Sequence, residues 1–246
     1  MKNRLVILTL LFIFIIAPSW IFGKEKQFAF KHLTNQDGLS DASVNCILKD
    51  QKGFMWFATN GGLNRYDGYE FRVYKNIPGD TLSLCGNKVE SIYLDPRGNL
   101  WACTSNGLCL YNNEQDNFIR SPMRKLTGKP ISNNYVRQVL AAGGYLWITT
   151  LGGGINRYDT ARKTLKYYRH KPNSPGSLSQ DWVWSVFQDS RKRLWFGTMG
   201  EGLNMLAPGK ESFQRYQFGE QNAALNTIRC MYELSDNVFL LGTDEG

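Results

Sequence analysis

A chain of 246 residues, of which 42% are hydrophobic and 20% charged, can bury a sizeable core, which excludes a disordered chain and fits one large domain or two small ones. The net charge of +8 is spread along the sequence, with no basic stripe or nucleic-acid motif beside it, so it gives no case for nucleic-acid binding.

The chain begins "MKNRLVILTLLFIFIIAPSWIFGKEK", with Lys2 and Arg4 ahead of an apolar run from Leu5 to Ala17 and then Pro18, Ser19 and Gly23. Residues 1–23 read as a signal peptide, with an uncleaved anchor as the alternative, and either one exports the remainder of the chain. The lead-in, 24–37, holds "FAFKHL", Phe28 to Leu33, an orphan outer strand that would complete the last blade of a closed ring.

From residue 38 onward the sequence repeats. "FMWFATNGGLNRYDG", "NLWACTSNGLCLYNN", "YLWITTLGGGINRYDT" and "RLWFGTMGEGLNMLAP" align on Trp56, Trp101, Trp147 and Trp195, and a further unit aligns on Leu240, with a period of about 45 to 48 residues. Each unit opens on two apolar residues three apart: Val44 and Ile47, Val89 and Ile92, Val136 and Val139, Val183 and Val186, Ile228 and Met231. A turn comes next, then the Trp strand, a glycine turn, a third strand and an aromatic-rich fourth, with nothing of helical period between them. Four-stranded units of this length predict an all-β fold, a β-propeller. The expected blades are about 38–80, 81–128, 129–176 and 177–220, with a partial blade at 221–246. Trp56, Trp101, Trp147 and Trp195 are expected to fill the gaps between blades. About four and a half blades suggest a fragment of a larger array, because a sheet that stops inside a blade leaves an unpaired edge.

Several features that suggest chemistry have plainer explanations. The glycines of "GTMGEG" come after a strand as a phosphate loop would, but a strand and not a helix comes next, and the Gly-Lys-Ser/Thr signature is missing, so they are turn residues. Asp50, Asp95 and Asp189 recur at the first turn of a unit and are expected to cap it. The five cysteines replace small residues of the repeat: Cys85 stands where other units have Ser40, Ser132 and Ser179, and Cys109 where they have Asn64, Asn156 and Asn204. Packing is their default role, with Cys103 and Cys109 as the one pair singled out for a disulfide. Two histidines, His32 and His170, without ligand spacing and with no nucleophile motif, give no catalytic residues, no metal site and no cofactor.

Function is then expected where the repeats differ. The residues flanking the first apolar position change in every unit, and Tyr135, Arg137, Asp181, Trp182 and Trp184 form the candidate ligand-binding set, a polar aromatic patch able to stack on sugar rings. The alternative role for these residues is packing between blades.

The stretch "FKHLTNQDGLSDASVNCILKDQKGFMWFATNGGLNRYDGYEFRVYKN", with the later "LWxxTxxxGLNxY" units, resembles two-component regulator propeller repeats of the N-terminal sensor region of hybrid two-component systems in Bacteroidetes. The resemblance covers Phe28 to Gly246. It implies a truncated periplasmic sensor propeller, a fragment of a seven-bladed ring, not itself an enzyme, from a regulator that responds to glycan breakdown products and carries its histidine kinase in other domains. The partners it implies are an oligosaccharide, the missing blades or downstream domains of the same polypeptide, and a second copy in the full-length context. It carries over no binding residue. A secreted interaction scaffold and a polysaccharide-active propeller enzyme are the alternative functions.

Overall fold

The computed structural model describes residues 29–219 and 222–246, so the signal segment expected at 1–23 lies outside the described residues. Four four-stranded antiparallel sheets succeed one another, each in the strand order of the sequence. Blade 1 comprises β1 (Val44–Lys49), β2 (Met55–Thr59), β3 (Gly62–Tyr66) and β4 (Phe71–Tyr74). Blade 2 comprises β5 (Val89–Leu94), β6 (Leu100–Thr104), β7 (Gly107–Asn112) and β8 (Asn117–Arg120). Blade 3 comprises β9 (Val136–Ala142), β10 (Tyr145–Thr150), β11 (Gly154–Asp159) and β12 (Thr164–Tyr168). Blade 4 comprises β13 (Val183–Gln188), β14 (Leu194–Thr198), β15 (Leu203–Leu206) and β16 (Gln214–Tyr216). A two-stranded fifth sheet pairs β17 (Ile228–Ser235) with β18 (Val238–Thr243).

Local structure departs from expectation in two places. Residues 29–33 form no strand. A six-residue helix, α1 (Pro122–Thr127), joins blades 2 and 3 where no helix was expected. It starts with Pro122, ends at Gly128 in the left-handed conformation (φ 72°), and is too short to show a helical period.

The first strands adjoin one another in order, β1 beside β5, then β9, β13 and β17, which places them innermost. The sheets stack face to face, and each interface holds one tryptophan. Trp56, Leu63 and Tyr74 of blade 1 pack on Val89, Ile92 and Leu100 of blade 2. Trp101 and Leu108 pack on Val136, Val139 and Ile148 of blade 3, and Trp147 and Tyr168 on Val183, Val186 and Phe196 of blade 4. Trp195 and Leu203 pack on Ile228, Met231 and Phe239. Each tryptophan removes roughly 200 Å² from water, on the order of 5 kcal/mol before conformational entropy is charged against it.

Asp50, Asp95 and Asp189 cap the first turn, each accepting from the backbone N–H four residues on, and Asp50 and Asp95 also from the one two residues on. The same carboxylates also accept the indole N–H of Trp56, Trp101 and Trp195 at 2.7, 3.0 and 2.8 Å, tying turn to interface. Burial acts to raise the Asp95 and Asp189 carboxyls, but these hydrogen bonds outweigh it and hold both below the usual carboxylate range. Blade 3 has Ala142 in place of the aspartate, so Trp147 reaches only a backbone oxygen at 3.4 Å.

The glycines of "GTMGEG" serve geometry. Gly202 has φ 71°, and a Cβ there would lie 2.1 Å from the Tyr216 oxygen, while its N–H donates to the Asn226 oxygen ahead of the fifth sheet.

The disulfide differs from the pair singled out in the sequence. Cys85 and Cys109 are bonded, with Cα atoms 6.2 Å apart, and Cys103 is a free buried thiol that burial pushes up to about 12. In the strand register Cys103 lies opposite Leu108, so Cys109 points to the other face of the sheet. In blades 1, 3 and 4 the corresponding residues form a clip, the N–H of Ser40, Ser132 and Ser179 donating to Asn64, Asn156 and Asn204 at 2.8 Å. The disulfide replaces that clip.

Candidate ligand-binding site

Every first strand carries a β-bulge near its start. The register jumps from Val44 to Cys46, Val89 to Ser91, Val136 to Gln138, Val183 to Ser185 and Ile228 to Cys230. The extra residues are Asn45, Glu90, Arg137, Trp184 and Arg229, four residue types at five equivalent positions. A bulge breaks the alternation of side chains and re-aims the extra residue, here along the inner rim towards the neighbouring blade.

These residues join into a belt across the blades. Asn45 donates to the Val89 oxygen at 2.9 Å. The buried Glu90 carboxylate pairs with Arg137, accepts from the Tyr135 hydroxyl at 2.7 Å and pairs with Lys88 at 2.9 Å. The Arg137 guanidinium lies 4.3 Å from the Trp184 ring centroid, and that of Arg229 lies 3.7 Å from the same ring. Arg229 in turn pairs with Asp244. Hydrogen bonds with Glu90 and Tyr135 hold the Lys88 ammonium above its usual range, while burial lowers the Arg137 guanidinium against the pull of Glu90. Arg137 Nε is a buried donor without a hydrogen-bond partner among the described residues.

Of the five residues singled out in the sequence, the structure joins Tyr135, Arg137 and Trp184 and separates Asp181 and Trp182 from them. Asp181 is a latch between blade segments: its carboxylate accepts the His170 N–H at 2.7 Å, as Asn87 accepts from Asn76 and Asn226 from Phe218 at the same distance. Trp182 stands just before β13, 48% exposed, beside the Gly152 turn. Two guanidinium groups engage Trp184, whereas the Trp182 indole is exposed. Glu90, Lys88 and Arg229 belong to the belt but not to the set expected from the sequence. The three-residue spacing of the apolar pair was the signal, since a strand of period two needs an extra residue to put both on one face.

Among the described residues no cluster of His, Cys, Asp and Glu has the arrangement of a metal site, and no helix is long and apolar enough to cross a membrane. Sheets stacked around their inner strands, with a variable polar rim, define a β-propeller.

Comparison with known proteins specifies the repeat. Residues 38–61, 83–106 and 177–200 match the family model of the two component regulator propeller. Three of the repeats, in blades 1, 2 and 4, are thus similar to two-component regulator propeller repeats. It is 29% identical to the extracellular domain of a putative hybrid two component system from B. thetaiotaomicron, with a TM-score of 0.74, covering 88% of this chain and 29% of that one. The extracellular domain of another such system from the same organism superposes with a TM-score of 0.67 at 19% identity, over 82% of this chain and 28% of that one, and shows the shared fold. Histidine kinase P4 of Formosa agariphila is 38% identical over 84 residues, 34% of this chain and 6% of the kinase. The chain therefore spans less than a third of the length of these relatives.

Proposed function

We propose that this chain is the periplasmic sensor-propeller portion of a hybrid two-component regulator, responding to glycan-derived ligands by binding and not by catalysis. The observation that carries this reading is the inner belt, where the repeat keeps its scaffold and changes the bulge residue from each blade to the next. Trp182, next to the belt residue Trp184 in sequence but separate from the belt, offers a sugar ring an exposed stacking face beside the Gly152 turn. The likeness to extracellular domains of hybrid systems supports an exported location. Ligand affects such a sensor only through different affinities for two poses of the propeller against neighbouring domains or a second copy. Exposed apolar side chains on the outer faces of blade 1 (Val44, Ile47) and of the fifth sheet (Tyr232, Val238, Leu240) support further blades of the same polypeptide as partners.

Isothermal calorimetry of the purified chain against a panel of neutral and acidic oligosaccharides tests the reading. Heat of binding that Trp182→Ala abolishes is the expected result. No heat from any oligosaccharide, together with a co-purifying protein partner, would favour an interaction scaffold, and released sugar products would favour a propeller enzyme.

A further inference from the structure

A second site lies away from the belt, in the cleft between blades 3 and 4. Two interfaces that share one set of charged and aromatic residues bring it out. Between blades 1 and 2, Arg65 and Arg72 pair with Asp116, which also accepts from the hydroxyls of Tyr74 and Tyr111. Between blades 3 and 4, Arg157, Lys166, Tyr168 and Glu211 repeat Arg65, Arg72, Tyr74 and Asp116 one for one. The segments 112–118 and 207–213 that carry the two acids align without a gap.

One member of the set is missing. Tyr111 plugs the first interface, its ring centroid 5.0 Å from that of Trp56 and its hydroxyl 2.6 Å from the Asp116 carboxylate. Blade 4 has Leu206 at that position, and a cleft of about 560 Å³ opens where the ring would stand, within the roughly 300–1,000 Å³ of small-molecule sites. Tyr145, Trp147 and Arg157 line it, with Lys192 and Lys210 at its margin. Neither lysine has an ion-pair partner among the described residues, and Gln188, which replaces Leu94 of blade 2, adds an amide to the wall. Glu211 stays ionised, its carboxyl held at about 2 against burial by Lys166, Tyr168 and Arg157, and its Oε1 receives a single donor, Arg157. A carboxylate oxygen has room for a second.

We propose that this cleft binds a small phenolic acid: its ring takes the place of the missing tyrosine ring, its hydroxyl donates to Glu211 Oε1, and its carboxylate meets Lys192 and Lys210. The site differs from the belt in position, charge and ligand.

Calorimetry of the purified chain with 4-hydroxyphenylacetate tests the proposal, with phenylacetate and 4-methylphenol as probes lacking one polar group each. One binding event is expected, weakened about tenfold by loss of either group. Leu206→Tyr should abolish binding while keeping the melting temperature, because Tyr111 shows that the ring fits this environment. Lys192→Ala with Lys210→Ala, at exposed positions, should weaken 4-hydroxyphenylacetate about tenfold and leave 4-methylphenol unchanged. No binding of 4-hydroxyphenylacetate, or equal affinity in the double-lysine variant, would overturn the proposal, and so would undiminished binding to a folded Leu206→Tyr protein.

Discussion

The Cys85–Cys109 disulfide can be measured against an internal control, because three sister blades show what it replaces. It closes a loop with a sequence separation of 24, for which chain entropy gives a stabilisation of about 3.5 kcal/mol. A variant with both cysteines changed to alanine should lose that amount. Cys85→Ser with Cys109→Asn should rebuild the 2.8 Å clip of blades 1, 3 and 4 and recover about 1 kcal/mol of it. Hydrogen exchange of the β6 and β7 amides reads the effect where it arises, and protection there should fall roughly 300-fold in the alanine variant. Thermal unfolding should shift by roughly 7–14 °C at the usual 2–4 °C per kcal/mol for a chain of this size. If the alanine and the serine–asparagine variants prove equally stable, the clip contributes nothing. If neither differs from the oxidised protein, the loop-closure argument fails.

Three further outcomes rest on packing and charge. Trp195→Phe removes the indole donor from the buried Asp189, which keeps Arg193, and should cost about 1 kcal/mol more than Trp147→Phe, which gives up only a 3.4 Å bond, as read by denaturant unfolding. Asp95, Asp189 and Glu211 have folded pKa values below their unfolded ones, so their contribution is present near neutrality and lost as pH falls through the folded values, below about pH 4.5 and for Glu211 down to about 2. Melting temperature between pH 7 and 3 should therefore fall in acid, and less steeply in Asp189→Asn; equal slopes would refute the assignment. Gly202→Ala should destabilise blade 4 by more than about 2 kcal/mol, since the new Cβ meets the Tyr216 oxygen in a left-handed backbone, and an unchanged circular-dichroism melt would contradict this.

Much of the architecture was legible because a propeller states it several times over. The period, the Trp strand and the turn residues recur at fixed spacing, and only stacked four-stranded sheets give every repeat the same environment. The first-turn aspartates were legible as caps, but their bond to the indole six residues on was not, since it needs the turn and the strand in place together. Cys85 and Cys109 were each placed correctly in the repeat, yet their pairing was missed because it joins a loop residue to a strand residue that face each other only in the folded blade.

The sequence by itself determined the fold class, the blade order and the positions free to vary, because hydrophobic period and turn chemistry act locally and repeat. Tertiary structure alone decided what the varying residues do. The bulges turn Glu90, Arg137, Trp184 and Arg229 from strand positions into one belt, and the stacking of blades 3 and 4 gathers Tyr145, Trp147, Arg157, Leu206 and Glu211 around one cleft. Both depend on residues about 45 positions apart being brought into contact, which no local pattern encodes.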